Sequence, residues 1–240
     1  MLKAVTLDFW ATLVDDRHGA VPRRIDTLAE QLPDLALERV RSAYKAAWDD
    51  FLRAGRQGWG LPPAMVLSGT LGGLGVSLPP EAYAQVLRTW ENSCIDRPPP
   101  LVPQTAETLR ALRARGLRIG LISDTGVSPG QVLRQYLVRK GLRSLFDWLT
   151  FSNETGVTKY HPQAYLLTLR ALGVEPHEAL HVGDTPAPDI RGAHAVGMAA
   201  ALTIQVRDKR RGDEAPDLVI ERLADLPDAL ARWQAERQAT

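Results

Sequence analysis

The chain has 240 residues, with 29 Lys and Arg against 28 Asp and Glu and a formal net charge of +1. That balance excludes the strong basic field of a nucleic-acid-binding or anionic-membrane-binding protein and points to a small-molecule partner. The single cysteine, Cys94, rules out an intrachain disulfide, no Cys/His set has zinc spacing, and no apolar run approaches the roughly 18 residues of a membrane span.

Lys3 to Leu13 reads K-A-V-T-L-D-F-W-A-T-L, an apolar run rich in β-formers that ends in Asp8, with Thr12 four residues on. It predicts a buried strand delivering one carboxylate at its C-terminal end, where open parallel sheets place their chemistry. The N-terminus enters this strand without a secretory leader, so the expected compartment is the cytoplasm. The polar loop Asp15 to Ala20 then leaves the sheet. Helical spacing follows from Pro22 to Leu32, at Ile25, Leu28, Ala29 and Leu32. It recurs from Leu35 to Ala54 as a stripe that includes Val40, Tyr44, Trp48 and Phe51. Pro62-Pro63 opens a piece from Ala64 to Leu71 that Gly69, Gly72, Gly73 and Gly75 are expected to end or weaken, and Pro79-Pro80 opens the next, Glu81 to Ser93.

Asp96 to Pro103, D-R-P-P-P-L-V-P, reads as a stiff extended linker, because consecutive prolines exclude helix and ladder alike. Beyond it helix and strand alternate. Helices are expected at Gln104 to Arg115, Pro129 to Lys140, Pro162 to Leu172, Ala187 to Val196 and Leu226 to Gln234. Strands are expected at Leu117 to Ile122, Trp148 to Phe151, Ala179 to Val182, Ala199 to Ile204 and Leu218 to Ile220. The fold class is therefore α/β: a doubly wound parallel-sheet core, residues 1–15 and 100–240, with an α-helical cap domain, residues 16–99, inserted after the first strand.

Four expected strand ends carry polar residues: Asp8, then Ser123-Asp124 after L-R-I-G-L-I, Lys159 in G-V-T-K, and Asp184 with Asp189 in H-V-G-D-T-P-A-P-D. This order and spacing resembles the haloacid dehalogenase superfamily of aspartate-nucleophile hydrolases and phosphotransferases. The resemblance covers residues 1–13 and 103–225 and the placement of the cap. It implies Asp8 as nucleophile, with a covalent aspartyl intermediate that splits one hard displacement into two easier ones. It implies that Ser123, beside Asp124, holds the phosphoryl oxygens, that Lys159 offsets their charge, and that Thr12 braces the loop. Mg2+ is the implied cofactor, held by Asp8, the backbone carbonyl of Trp10, Asp184 and Asp189. The implied partner is a small phosphorylated metabolite, bound by a monomer or homodimer.

Trp10 departs from the pattern. The phosphatase branch has a second aspartate there as general acid and base, a contribution of typically about 10²- to 10⁴-fold. Its loss points away from ordinary alkyl phosphates and toward activated esters and acyl phosphates. An aromatic at this position also resembles the 2-haloacid dehalogenase branch, which uses no metal, whereas G-D-T-P-A-P-D resembles the metal-binding phosphatases. A third reading is a non-catalytic relative that binds a phosphorylated ligand. Lys159 is followed by Tyr160-His161-Pro162 rather than directly by proline, with Pro162 still opening a helix.

Plainer roles stand beside these. Trp10 can be a wall under the cap. Trp48, Phe51 and Trp59 read as cap core, and Arg53, Arg56 and Gln57 as solvated surface. The histidines read as structural, and the basic run Arg207 to Arg211 with Asp213-Glu214 as an exposed loop. The glycine cluster Gly69 to Gly75 follows no strand and is not a dinucleotide fingerprint.

Overall fold

The computed structural model describes residues 1–17, 21–210 and 214–238. Among these, six strands form one parallel sheet: β1 (Ala4–Leu7), β2 (Arg118–Ser123), β3 (Trp148–Phe151), β4 (Ala179–Gly183), β5 (Ala199–Thr203) and β6 (Leu218–Ile220). Their spatial order is β3-β2-β1-β4-β5-β6. The order reverses beside β1, and the crevice at the carboxyl ends of β1, β2 and β4 is the place such sheets bind ligands. β1 is buried on both faces, as its continuous apolar run requires.

The helices in chain order are α1 (Val21–Ala29), α2 (Leu37–Arg56), α3 (Ala64–Leu74), α4 (Pro80–Glu91), α5 (Ser93–Asp96), α6 (Thr105–Ala114), α7 (Gly130–Arg139), α8 (Ser152–Thr155), α9 (Gln163–Leu172), α10 (Gly192–His194) and α11 (Leu226–Gln238). Val5, Leu7 and Val182 face a core made with α6, α7 and α11, while Ala4 and Ile122 face one made with Tyr165 and Leu169 of α9. Strand alternation puts Thr6 on the α9 side with Ala4. A third apolar core, with Leu28, Tyr44, Leu67 and Trp90, lies among α1 to α4. No helix among the described residues is long and apolar enough to cross a membrane.

The helical layer leaves the core at one place. The Asp15 N–H donates to the Pro100 carbonyl and the Val102 N–H to the Leu13 carbonyl, each at 2.9 Å, so the proline-rich linker pairs with the segment leaving β1. The layer touches the core again at Gly58–Gly60. The Gly60 N–H donates to the Gly156 carbonyl at 2.9 Å, and the Thr158 N–H to the Gly58 carbonyl at 3.0 Å.

The short helices α5 and α8 are additional to expectation, and two expected elements differ from it. α3 runs on to Leu74 through Gly69, Gly72 and Gly73, and ends with Gly75 at φ 71°. A Cβ on Gly69 would stand 3.2 Å from that of Ala47, so this glycine lets α3 lie close on α2; packing has overridden helix propensity. The helix expected from Ala187 begins instead as a π-helical turn, Pro186–Arg191. The Tyr165 hydroxyl donates to the Pro188 carbonyl at 2.5 Å and the Asp189 carboxylate takes the Thr185 N–H at 2.8 Å, which holds the turn wide; such turns recur at functional sites.

Candidate active site

Asp8 follows β1 directly, its own N–H donating to the Val182 carbonyl of β4 at 2.9 Å. The turn after it closes tightly. The Leu13 N–H donates to the Phe9 carbonyl at 3.0 Å, and Ala11 sits at φ 55°, a left-handed conformation uncommon for a residue with a Cβ. That turn brings the Thr12 hydroxyl to 3.4 Å from Asp8 Oδ2. Lys159 reaches Asp8 Oδ1 from the loop after α8, its Nζ at 2.6 Å from Asp8 and 2.5 Å from Asp189 Oδ1, with all three side chains buried.

Asp189 is held from three sides. Its Oδ2 accepts the Thr185 N–H, and its Oδ1 faces both Lys159 and His181 Nε2, the latter at 3.3 Å. A carboxylate only accepts, so His181 carries its proton on Nε2 and its Nδ1 accepts the Thr6 hydroxyl at 2.8 Å. Thr6 and His181 are register partners on β1 and β4, which places them on one face. Gly183 makes room for this arrangement, since a Cβ there would stand 2.1 Å from Asp189 Cγ. Asp124 Oδ1 accepts the Lys159 N–H at 2.9 Å and so fixes the backbone that carries the ammonium. Ser123 Oγ is buried and has no hydrogen-bond partner among the described residues, a cost that an incoming polar ligand would relieve.

Charge in this pocket is unbalanced. Asp8, Asp184 and Asp189 are buried with Asp124 half-buried beside them, and Lys159 with the partly exposed Lys209 leaves two negative charges in formal excess. Burial pushes the Asp8 carboxyl up to about 8 against the pull of Lys159, with Asp189 and Asp184 adding to the rise. Burial also raises Asp124, to about 6. For Asp189, burial acts in the same direction but Lys159 and His181 outweigh it and hold the group well below the carboxylate range. Lys159 stays charged because Asp189, Asp8 and Asp124 overcome its desolvation. Oxygens from Asp8, Asp184 and Asp189 lie within 4.8 Å of one another. Hard oxygen donors and surplus negative charge are what a small divalent cation requires, so the residues fit magnesium.

A strand-end carboxylate beside a buried ammonium, an unsatisfied hydroxyl and an acidic cluster is suited to covalent transfer of an anionic group. The family model described as haloacid dehalogenase-like hydrolase matches residues 2–197. The chain belongs to that family of hydrolases. It is 34% identical over 137 residues to the glyceraldehyde 3-phosphate phosphatase of Methanopyrus kandleri, a match spanning 53% of this chain and 55% of that one. The chain thus spans about half the length of that relative. Among solved structures, a 2-haloacid dehalogenase from Pseudomonas syringae pv. Tomato DC3000 is 28% identical with a TM-score of 0.72, covering 97% of this chain and 100% of that one. A HAD phosphatase from Thermococcus onnurineus is 27% identical with a TM-score of 0.68, covering 95% and 98%.

Within this dehalogenase-like frame the structure adds residues that the motifs do not contain. Lys209 is the least expected. The basic run around it reads as an exposed loop, and Arg211 and Asp213 of that reading lie outside the described residues. Lys209, however, turns inward and places Nζ 2.6 Å from both Asp184 Oδ2 and Thr185 Oγ1, while the Thr185 hydroxyl donates to Asp184 Oδ1 at 3.1 Å. His181 and Gly183 lie next to the motif, but their role comes from cross-strand register and from space, neither of which is local in sequence. The expectation of cap core holds in part for Trp48 and Phe51 and fails for Trp59. Trp48 and Phe51 are half-buried against the cap core, and Trp59 is 62% exposed. All three line a cavity with Trp10, which is half-buried against Phe9 with ring centroids 4.9 Å apart. Arg56 lines it too.

Proposed function

We propose that this hydrolase is a magnesium-dependent phosphomonoesterase acting on a small phosphorylated molecule, with Asp8 as its nucleophile. The observation that carries the reading is the cluster of Asp8, Asp184 and Asp189 at the carboxyl ends of β1 and β4. Asp8 attacks phosphorus and displaces the alcohol, and water then hydrolyses the aspartyl phosphate. Lys159 holds Asp8 in place and offsets the charge on the phosphoryl oxygens, one of which Ser123 Oγ receives. Asp8, Asp184, Asp189 and the Trp10 carbonyl would hold magnesium, which when bound supplies further positive charge to the phosphoryl group. Residues 16–99 serve as a cap over a core of residues 1–15 and 100–240, and shield the site from bulk solvent while Asp8 attacks.

A second reading, a metal-independent 2-haloacid dehalogenase, is favoured by the aromatic Trp10 and by the likeness to the Pseudomonas syringae structure. One screen separates them: acetyl phosphate and p-nitrophenyl phosphate with and without magnesium, and halide release from 2-chloropropionate. Magnesium-dependent phosphate release without halide release is expected. Halide release without phosphate release overturns the proposal, and magnesium-dependent ligand binding with no turnover points to a non-catalytic relative.

Two further results are expected from the charge arrangement. A cation must displace the proton that Asp8 carries below about pH 8 in the metal-free protein, so magnesium affinity rises from about pH 6 toward pH 8 and then levels. Calorimetry in buffers of different ionisation enthalpy counts the released proton; pH-independent affinity contradicts this. Lys209 occupies an oxygen of Asp184, so Lys209→Gln tightens magnesium binding, by about two- to fivefold given that the ammonium is 35% exposed. Unchanged or weaker binding by calorimetry would show that Lys209 does not compete with the ion.

A further inference from the structure

A cavity of about 470 Å3 lies between the helical layer and the core loop Asp124 to Ser128. Trp10 and Asp124 both border it; the first is two residues from Asp8 and the second fixes Lys159, so the cavity adjoins the segments that carry the reacting carboxylate and ammonium. Its walls are aromatic. Trp48 and Phe51, three residues apart on α2, stack with ring centroids 5.5 Å apart and planes 10° from parallel. The core loop closes against them at one edge, where Gly126 lies on Trp48 so closely that a Cβ would stand 3.1 Å from Trp48 Cη2. Trp59 faces the same space while largely open to solvent, a position that core packing does not explain.

We propose that this cavity binds the leaving group of the substrate, and that the leaving group is an aromatic alcohol: the substrate is an aryl phosphate. The inference rests on the phosphatase reading and adds two observations to it. The first is the slot, whose flat aromatic surfaces suit a planar ring, offset-stacked or edge-on. The second is Trp10, which stands where the family resemblance places the proton donor. An alcohol that departs without a proton must be stable as its anion. A phenol ionises near about 10, whereas water, to which alkyl alcohols are close, does so near about 15.7. An Asp8 oxygen bonds to phosphorus as the bond from phosphorus to the aryl oxygen breaks. The electron pair leaves on that oxygen as a phenolate, which solvent water protonates. A second water cleaves the aspartyl phosphate to inorganic phosphate and restores Asp8. An aromatic box can also hold a quaternary ammonium, but three arginines, Arg24, Arg56 and Arg97, line this cavity against two carboxylates, Asp16 and Asp124, a balance that disfavours a cation.

The test separates slot from chemistry. Calorimetry on the wild-type protein compares 1-naphthylmethylphosphonate with ethylphosphonate, neither of which is hydrolysed, while acetyl phosphate, which needs no slot, reports the chemistry. The aryl ligand is expected to bind at least about tenfold more tightly, and 1-naphthyl phosphate to exceed ethyl phosphate in kcat/KM by at least about 10²-fold. Trp48→Ala should lower the preference for naphthyl over acetyl phosphate about tenfold, with Phe51→Leu as the second variant should the first not fold. Equal affinity for the two phosphonates alongside acetyl phosphate turnover overturns the slot and leaves the phosphatase reading standing. Inert acetyl phosphate with aryl-selective binding does the reverse. Preference for phosphocholine over naphthyl phosphate also overturns the proposal.

Discussion

Asp8→Asn is expected to lower kcat for acetyl phosphate by at least about 10³-fold without loss of fold. The amide keeps the shape of the carboxylate and a hydrogen-bond acceptor for Lys159 Nζ, now 2.6 Å from Asp8 Oδ1, but it does not attack phosphorus. Removing one partner of a buried ion pair ordinarily destabilises a protein strongly. Here Lys159 retains Asp189 at 2.5 Å, and the pocket loses one of its surplus negative charges. Burial has already raised the Asp8 carboxyl to about 8, so its charged form destabilises the fold as pH rises from about 4 toward 8, and the neutral amide avoids this. The melting temperature of the metal-free variant at pH 8 should equal or exceed that of the wild type. Retention of more than about a tenth of the rate would remove Asp8 from the nucleophile role.

Trp10→Asp is expected to do the opposite to one substrate class. With a proton donor restored, kcat/KM for ethyl or glycerol phosphate should rise by about 10²- to 10⁴-fold, while acetyl phosphate, whose leaving group departs unaided, gains far less. Trp10 precedes the left-handed Ala11 and stands half-buried on the cavity wall, so a shorter side chain meets no packing obstacle there. Trp10→Asn is the control: it clears the same ring and has no proton to give, so it should show no gain. Equal gains in Asp and Asn variants would mean that the ring blocks alkyl substrates sterically, and that general acid catalysis is not what this chain lacks.

The parts of this site legible in sequence are those at strand ends. Asp8, Ser123 and Asp184 each follow an apolar run, and in a parallel sheet such ends converge whatever the intervening chain does. Lys159 was legible by its position before a helix-opening proline. Asp189 was legible as a charge, but the π-helical turn that aims it depends on a tyrosine 24 residues earlier and on the absence of a Cβ at Gly183. His181 takes its role from register with Thr6, which no local pattern records. Lys209 lies in a run of charges whose average behaviour is solvation, and one inward side chain does not alter that average. The stripe carrying Trp48 and Phe51 showed correctly that one face of α2 is covered; periodicity does not distinguish a face covered by core from one that borders a cavity.

The most direct measurement is the fate of water oxygen. The protein is incubated with acetyl phosphate and magnesium in H2(18)O, and label is sought by mass spectrometry in the released phosphate and in the peptide containing Asp8. Attack of water on phosphorus in an aspartyl phosphate predicts label in phosphate and none in Asp8. Label accumulating in Asp8 would mean that water attacks the Asp8 carboxyl carbon of the covalent intermediate instead of phosphorus, and would contradict the phosphoryl-transfer account.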